Sequence, residues 1–574
     1  MIDRGVSLDE ITQSTSEALG IHISPESQEN AKQAILKAQA AANIIFRNPE
    51  LGTEEIETSD LLARGLSKAI GRDNVFVLVK QDVGEPQIKN GIKTRRFLPR
   101  WGRPNTEWGK DESFHHDLKT DSEMGGVVGI LEGDNPDGPT IFIMSDLDAL
   151  PNGHHCGHNA HTAALIMDAL ILNEYKKASG YLPVNKVVFV GRVNEEGLAP
   201  NKTFSDAHEM ADAGLFGIVG NNPDIILSTH VLPSLALGEI IIDKGPTTHG
   251  AGFFSVELSS QGNDLPLEVV ASRIVCRVAQ EWGSENPQYS VPRLIATESK
   301  GLNTVVRVTD RKDSPDKKVN TSLLKSNDSI SVPIQPGQTE SIARAWQEFT
   351  TLIEPWRRIG TTAAMEIVDN KLVVKMSAEG GHVGAGGANI EYLTAAAINY
   401  MDEQGVLWGR NETQKIDMVG TIRVKMKEWK SVGRNIVSTI NRIVTDESEK
   451  EGVKGNSHGN VVVPPVINSP RLREISTNFL RNSFSSIFSF AKSRLLASYA
   501  EPLSFWQRLT KAETLLVWMG TESPSTVAGS RHKGARVPPQ MQLHTNEMTV
   551  LKDKVPYLGI LSLLCIKLGQ EWQK

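Results

Sequence analysis

Four of the fourteen histidines and one of the three cysteines fall within eight residues, His154-His155-Cys156-Gly157-His158-Asn159-Ala160-His161. Imidazole and thiolate are the side chains that bind a first-row divalent ion most readily. The Cys156-x-His158 spacing lets both reach one ion from a single turn, with Gly157 easing the bend. Clustered zinc-finger spacings are absent, so from spacing alone a histidine-rich surface loop is the competing reading. A metal site needs further ligands from distant parts of the chain.

Three other places carry ligand-type residues. Asp146 and Asp148 follow a strand signal at 140–145, Glu195 and Glu196 follow one at 186–190, and His230 follows one at 224–228. Sites in open α/β sheets form outside the carboxyl ends of the strands, so these residues could converge with Cys156 and His158. Each has an ordinary alternative: Asp148 as a turn cap, the glutamates solvated, His230 hydrogen-bonded in the core. Several strand ends carrying such residues together favour convergence. In an extended segment, adjacent side chains point oppositely, so one of Glu195 and Glu196 can bind metal while the other faces the bound water. A metal lowers the pKa of its water to about 7, and a carboxylate can carry that water's proton to a leaving amine. The chemistry is amide hydrolysis.

The positioning elements read as a β/α alternation. Helical composition and spacing mark 31–46, 59–70 and 162–177, and strand signals mark 74–83, 126–131, 140–145, 186–190 and 224–228. Between them, 90–122 reads as an irregular charged insertion holding Arg95, Arg96, Arg100, Trp101 and Trp108, either a solvated loop or one that covers substrate. At 574 residues, 39% of them hydrophobic, the chain exceeds the roughly 250–300 residues of a single core, so two domains are expected. A net charge of -7 and a pI near 6.1 lack the basic footprint that nucleic-acid binding requires. Cys156, Cys276 and Cys565 are too scattered for a disulfide framework, and Met1-Ile2-Asp3-Arg4-Gly5 leads into polar sequence. No run approaches the roughly 20 apolar residues of a membrane span. A soluble, cytoplasmic protein with no membrane or nucleic-acid partner is expected.

The segments Asn48-Pro49-Glu50-Leu51-Gly52, Ser145-Asp146-Leu147-Asp148-Ala149-Leu150-Pro151, Cys156-Gly157-His158-Asn159-Ala160-His161, Asn194-Glu195-Glu196-Gly197 and Thr229-His230-Val231 occur in an order that carries a resemblance. Together with Pro464-Pro465-Val466-Ile467-Asn468, Met519-Gly520-Thr521-Glu522 and Leu543-His544, they resemble the amidohydrolase branch of the metallo-aminoacylase and carboxypeptidase family. That branch includes hippurate, indole-acetyl-amino acid and aminobenzoyl-glutamate hydrolases. The likeness covers most of the chain outside its insertions. It implies an α/β, zinc-peptidase-like catalytic domain, a mixed sheet flanked by helices, with an inserted and enlarged α+β lid/dimerisation domain. The corresponding divisions are 1–245 and 466–574 for the catalytic domain and 246–465 for the lid, with an extra insertion near 263–365.

The same resemblance implies Cys156, His158, Glu196, His230 and His544 as metal ligands and Glu195 as general base. Asp148 and His161 would support the ligands from behind, with helix capping or packing an open alternative for His161. One or two divalent ions are implied, zinc or manganese first, cobalt or nickel also possible; the thiolate leans towards zinc. A homodimer is implied, in which His382 reaches the neighbouring site to polarise the scissile carbonyl or bind the oxyanion. Arg423 matches the position that holds a substrate carboxylate. Surface exposure is the alternative for both His382 and Arg423.

Departures bear on the substrate. Asn159 stands where Asp is usual, a variant associated with the aminobenzoyl-glutamate branch, and tilts the expectation towards N-acylated or N-arylated amino acids bearing an aromatic group. Cys156 follows Pro151 by only five positions, so a substrate-touching loop is nearly absent and the 90–122 insertion could take over covering. The best lid match is a strand at 372–376, the segment Ala378-Glu379-Gly380-Gly381-His382-Val383-Gly384-Ala385 and a helix at 391–402. An alternative lid start is a strand at 253–258, with His249 competing for the role of His382. Ser523-Pro524 follows Glu522 where Asp-Phe is usual.

The expected function is a metal-dependent hydrolase cleaving the amide bond of N-acyl or aryl-acyl amino acids. The alternatives are a metal-dependent dipeptidase or aromatic amine deaminase on the same fold, and a non-catalytic binding protein. Glu195 beside a complete ligand set argues against the last, since a binding module has no use for a base there.

Overall fold

Apolar residues at helical spacing build the first two helices, α1 (Pro25–Arg47) and α2 (Ile56–Ile70), both packed on the first core. Glu50 sets the angle between them. Its carboxylate accepts the Glu57 and Thr58 N–H groups at 2.9 and 2.7 Å, filling the donors that the start of α2 leaves open, and its carbonyl accepts Ala149 N–H at 2.7 Å. The Asn48–Leu51 part of the first motif is therefore structural, tying α2 to the loop that carries Asp148.

The computed structural model describes residues 24–572 apart from several segments, the longest being 103–121, 197–206, 283–303, 313–322, 383–389, 408–414, 492–500 and 523–557. After α2 come β1 (Val75–Asp82), β2 (Phe97–Gly102), β3 (Ser122–Glu132), β4 (Thr140–Asp146), α3 (His158–Ser179), β5 (Lys186–Arg192), β6 (Ile225–Ala236) and β7 (Glu239–Ile241). The intervening domain begins with β8 (Gly250–Ser259), α4 (Leu267–Trp282), β9 (Thr304–Lys312), β10 (Asn327–Pro333), α5 (Thr339–Leu352) and β11 (Thr362–Val368). It continues through β12 (Lys371–Ser377), α6 (Ile390–Glu403), β13 (Lys415–Val424), α7 (Trp429–Lys450) and β14 (Lys454–Val463). The chain then returns with α8 (Pro470–Ser483), α9 (Leu503–Thr510), β15 (Glu513–Glu522) and α10 (Ile560–Gln570).

The main sheet has nine strands in the order Ser489–Phe490, β7, β15, β6, β4, β5, β3, β1, β2. Its centre, β15-β6-β4-β5, is parallel, and β3, β1 and β2 run antiparallel at one side, giving a mixed sheet flanked by helices. Every residue of β4 is buried, the continuous apolar run of a strand covered on both faces. One core unites residues 35–242 with 466–568, and a second lies within 254–461. The chain crosses between them where Gly245–Pro246 pairs with Ile467–Asn468. Asn468 locks this crossing, donating to the Asp243 and Leu516 carbonyls and accepting Leu516 N–H at 2.8 Å.

The second part is α+β: an antiparallel sheet β9-β13-β8-β14 and a three-stranded sheet β10-β12-β11, with α4, α6 and α7 in its core. Two expectations change here. The 253–258 strand lies in β8, at the heart of the four-stranded sheet, whereas 372–376 lies in β12 of the other sheet. Both alternate equally well in sequence; long-range partners decide which sheet each joins. The 90–122 segment is also not wholly irregular. Ile92–Thr94 forms a short hairpin with Gln87–Lys89, and β2, including Arg100 and Trp101, pairs with β1 at the edge of the main sheet. Arg95, Arg96 and Trp108 lie outside the described residues.

Candidate metal centre

Cys156, His158, Glu195, Glu196 and His230 come together where the parallel strands end. Asp146 closes β4, Arg192 closes β5, and His158 opens α3. His230 does not follow its strand, as expected, but sits inside β6, which runs on beyond the end of β4 because β15 continues to pair with it. Gly157, at φ 91°, supplies the left-handed turn between Cys156 and His158. The Glu195-Glu196 step differs too: it is a turn rather than extended chain. Asn194, at φ 55°, breaks the strand, and its N–H is held at 2.7 Å by the buried Glu55 carboxylate.

Hydrogen bonds orient each ring. His158 Nδ1 donates to the Asp148 carbonyl at 2.8 Å, with Asp148 Oδ1 3.3 Å away. This leaves His158 Nε2 without a hydrogen-bond partner among the described residues, 3.8 Å from Glu195 Oε2. His230 Nδ1 donates to the Val231 carbonyl at 2.8 Å, so in the neutral ring Nε2 is the acceptor, hydrogen-bonded by the Cys156 thiol at 3.7 Å. Ligand atoms of Cys156, His158 and His230 all lie within 4.8 Å of one another. Glu196 is held from behind, its N–H donating to Asp148 Oδ2 at 2.9 Å, while its carboxylate bonds the Cys156 thiol. Trp518 of β15 backs His230, ring centroids 5.3 Å apart.

His161 has a different arrangement. Its Nε2 accepts Val231 N–H at 3.1 Å, so Nδ1 carries the proton and faces Asp146 Oδ2 at 3.7 Å. Asp146 also forms a buried ion pair with Arg192. Burial pushes the Asp146 carboxyl up, but Arg192, His161 and His158 outweigh it and hold the group well below the usual carboxylate range. Burial opposes charge on His158, yet its Asp148 partner and the Asp146 and Glu196 charges raise it to about 10. The pocket stabilises a cation at that ring, proton or metal.

The opposite holds for the neighbouring groups. Burial, His161 and His158 push His230 well below its ordinary value, so it is neutral. Burial and the Glu196, Glu195 and Glu501 carboxylates push the Cys156 thiol well up. Burial, with Glu501, Asp146 and Glu196, likewise raises Glu195 well above the carboxylate range.

Arg423 reaches this field from the inserted domain. On β13 it is 4% exposed, and although burial lowers its pKa to about 10, Glu196, Glu195 and Glu501 favour its charge. The exposed alternative for Arg423 is excluded. His382 lies on the Gly381–His382 strand, paired with Leu323–Leu324; its side chain, like the whole of His544, is outside the described residues. His249 is buried just before β8. His154, in the loop before α3, is 1% exposed, and burial with His158 and His155 lowers it to about 3. Asn159 donates to the Ala42 carbonyl at 3.3 Å, joining α3 to α1, a contact that an ionised Asp could not make.

Sequence reasoning missed Glu501. It is 5% exposed, lies two residues before α9, and places Oε1 3.5 Å from His230 Nε2. No motif surrounds it. Burial and Asp146 raise it to about 8.

No family model matches the chain. Similar sequences include IAA-amino acid hydrolase ILR1-like 4 of Arabidopsis thaliana, 26% identical over 238 residues, covering 39% of this chain and 40% of that protein. N-acetylcysteine deacetylase of Bacillus subtilis is 28% identical over 152 residues, 24% of this chain and 36% of its own length. The chain thus spans less than half the length of these two relatives. Among solved structures, the Bacillus subtilis YXEP protein, a dinuclear metal binding peptidase from the M20 family, matches with TM-score 0.50 at 16% identity. That match covers 93% of this chain and 98% of the other, and shows a shared fold.

Proposed function

We propose that this chain, a relative in sequence of amidohydrolases with the fold of an M20-family peptidase, is a metal-dependent hydrolase that cleaves the amide bond of N-acyl or aryl-acyl amino acids. The observation carrying this reading is the Glu195 carboxylate 3.8 Å from the bare Nε2 of His158, which belongs to the Cys156, His158 and His230 donor cluster. A buried imidazole nitrogen without a hydrogen-bond partner, beside a thiol and a second imidazole, fits a divalent ion. Cys156, His158, Glu196 and His230 would hold it, with His544 completing the set; the thiolate favours zinc over manganese. Such an ion supplies Lewis acidity and makes water nucleophilic near neutral pH.

The chain's own residues do the rest. Glu195, with its raised pKa, takes the proton of the attacking water and returns it to the leaving amine. Asp148 fixes both His158 and the Glu196 backbone, so ligand and base keep their spacing. His161, committed to Val231 and Asp146, supports β6 rather than binding the ion. Arg423 pairs with the carboxylate of the amino-acid product, and His382, from a second subunit of a homodimer, polarises the scissile carbonyl. Among the described residues no helix is long and apolar enough to cross a membrane, and Cys156, Cys276 and Cys565 form no disulfide, in keeping with a cytoplasmic setting.

The test is Glu195→Gln in metal-reconstituted protein, assayed on N-acyl amino acids, dipeptides and aromatic amines. Metal content should persist while turnover falls by about 10²–10⁴-fold. Unchanged turnover would remove Glu195 as base, and ammonia as the sole product would replace amide cleavage with deamination.

A further inference from the structure

We infer that Glu501 is a metal ligand of this centre, a carboxylate that lies outside every motif of the resemblance. The inference rests on the metal-hydrolase reading above and adds a residue to it. His230 Nδ1–H is committed to the Val231 carbonyl, so the neutral ring turns its Nε2 lone pair towards Glu501 Oε1 at 3.5 Å and towards the Cys156 thiol, hydrogen-bonded to it at 3.7 Å. A buried carboxylate and a sulfur thus flank one imidazole nitrogen. A buried imidazole lone pair that faces a buried carboxylate is stabilised by a cation between them, a proton or a metal ion.

The charge of the pocket points the same way. Asp146 is paired with Arg192, which leaves the carboxyl groups of Asp148, Glu195, Glu196 and Glu501, with Glu55 buried beside Asp148. Metal-bound Cys156 adds a thiolate, and among the described residues Arg423 is the remaining arginine that feels these carboxylates. Carboxyl groups buried against one another in this way ionise together only beside cations, and Glu501 is one of them. Its position follows from the fold: α9 packs on the first core through Leu503 and Trp506, and the buried turn before it presents Glu501 beside β6.

The experiment strips the full-length protein with a chelator and titrates it with zinc against a chromophoric competitor. A parallel cobalt(II) titration follows the thiolate charge-transfer absorption, with Cys156→Ser as the control that loses this band. Glu501→Gln, nearly isosteric, should weaken binding of at least one ion by tenfold or more, since even partners behind the ligands are worth ten- to a hundredfold. Its cobalt spectrum should change while the thiolate band remains. Glu501→Asp should retain part of the affinity. Equal stoichiometry, affinity within twofold and superimposable cobalt spectra for Glu501→Gln would overturn the assignment and leave the hydrolase reading standing. Absence of zinc and cobalt binding in the unmutated protein would instead overturn the hydrolase reading itself. Should Glu501→Gln fail to fold, a zinc-loaded crystal of the unmutated protein decides: a Glu501 oxygen about 2.0–2.2 Å from an anomalous zinc peak supports ligation, and one beyond about 3.5 Å from every peak refutes it.

Discussion

The two parts of this molecule handle charge in opposite ways. In the main α/β part, Asp146, Asp148, His158, Arg192, Glu195, Glu196, His230 and Glu501 are all buried at one end of the parallel strands. In the inserted part, ionisable residues mostly form partly exposed ties between elements. Arg273 of α4, for example, grips Asp402 of α6 at 2.6 Å and also bonds Glu451 beyond α7. Solvent reaches the Arg273 pairs and screens them, whereas the buried cluster needs mutual pairing or a bound cation. Arg423 is the exception, a buried charge of the inserted part that faces the other part's carboxylates. The contrast separates residues retained to hold the fold from residues assembled for chemistry.

The sharpest way to break the comparison is Arg192→Met. It strands the Asp146 carboxylate in the core and should cost about 3–5 kcal/mol in denaturant unfolding. A loss below about 1 kcal/mol would mean that the main part tolerates uncompensated charge as easily as a surface does. Arg423→Ala tests the exception. If it reads substrate carboxylate, KM for a carboxylate-bearing substrate should rise roughly 10–100-fold, as expected for a lost charge-assisted bond, with little change for the amidated analogue. Equal effects on both substrates would reduce Arg423 to a packing residue.

Asp168 sharpens the comparison through pH. It lies within α3, accepts Ser562 N–H from α10 at 2.9 Å, and burial raises it to about 8, against about 4 unfolded. Between those values the folded state keeps a proton that the unfolded state has lost. Stability is therefore greatest below about pH 4 for this group and falls as pH rises to about 8. Asp168→Asn should flatten that slope, changing little near pH 4 and stabilising by on the order of 1–3 kcal/mol at pH 9. Parallel stability–pH curves would contradict this. The smallest effect is expected from Arg273→Ala, on the order of 1 kcal/mol, because its pairs are partly solvated. A cost matching that of Arg192→Met would erase the distinction between the two parts.

Much of the centre was legible because its motifs are local. Cys156 and His158 share one turn, Glu195 and Glu196 another, and each follows a strand whose apolar run is plain in the sequence. Asp146 and Asp148 stood at a recognisable strand end, though only the structure separates their tasks. Asp146 pairs with Arg192 and His161, while Asp148 holds His158 and Glu196. Glu501 and Glu55 carried no signal, because a lone glutamate beside a helix is an ordinary surface pattern until the helix docks.

The sequence by itself determined the alternation of strands and helices, the ordered metal-type motifs and the charge balance that disfavours nucleic acid. These follow from local periodicity, local spacing and composition. Tertiary structure alone decided which of two similar strands builds the central lid sheet, that residues 97–102 extend the main sheet, and that Glu501 and Arg423 face the same buried carboxylates. The reason is physical: pairing and burial are set by partners hundreds of residues away, and a charged side chain gains a buried role only when those partners enclose it.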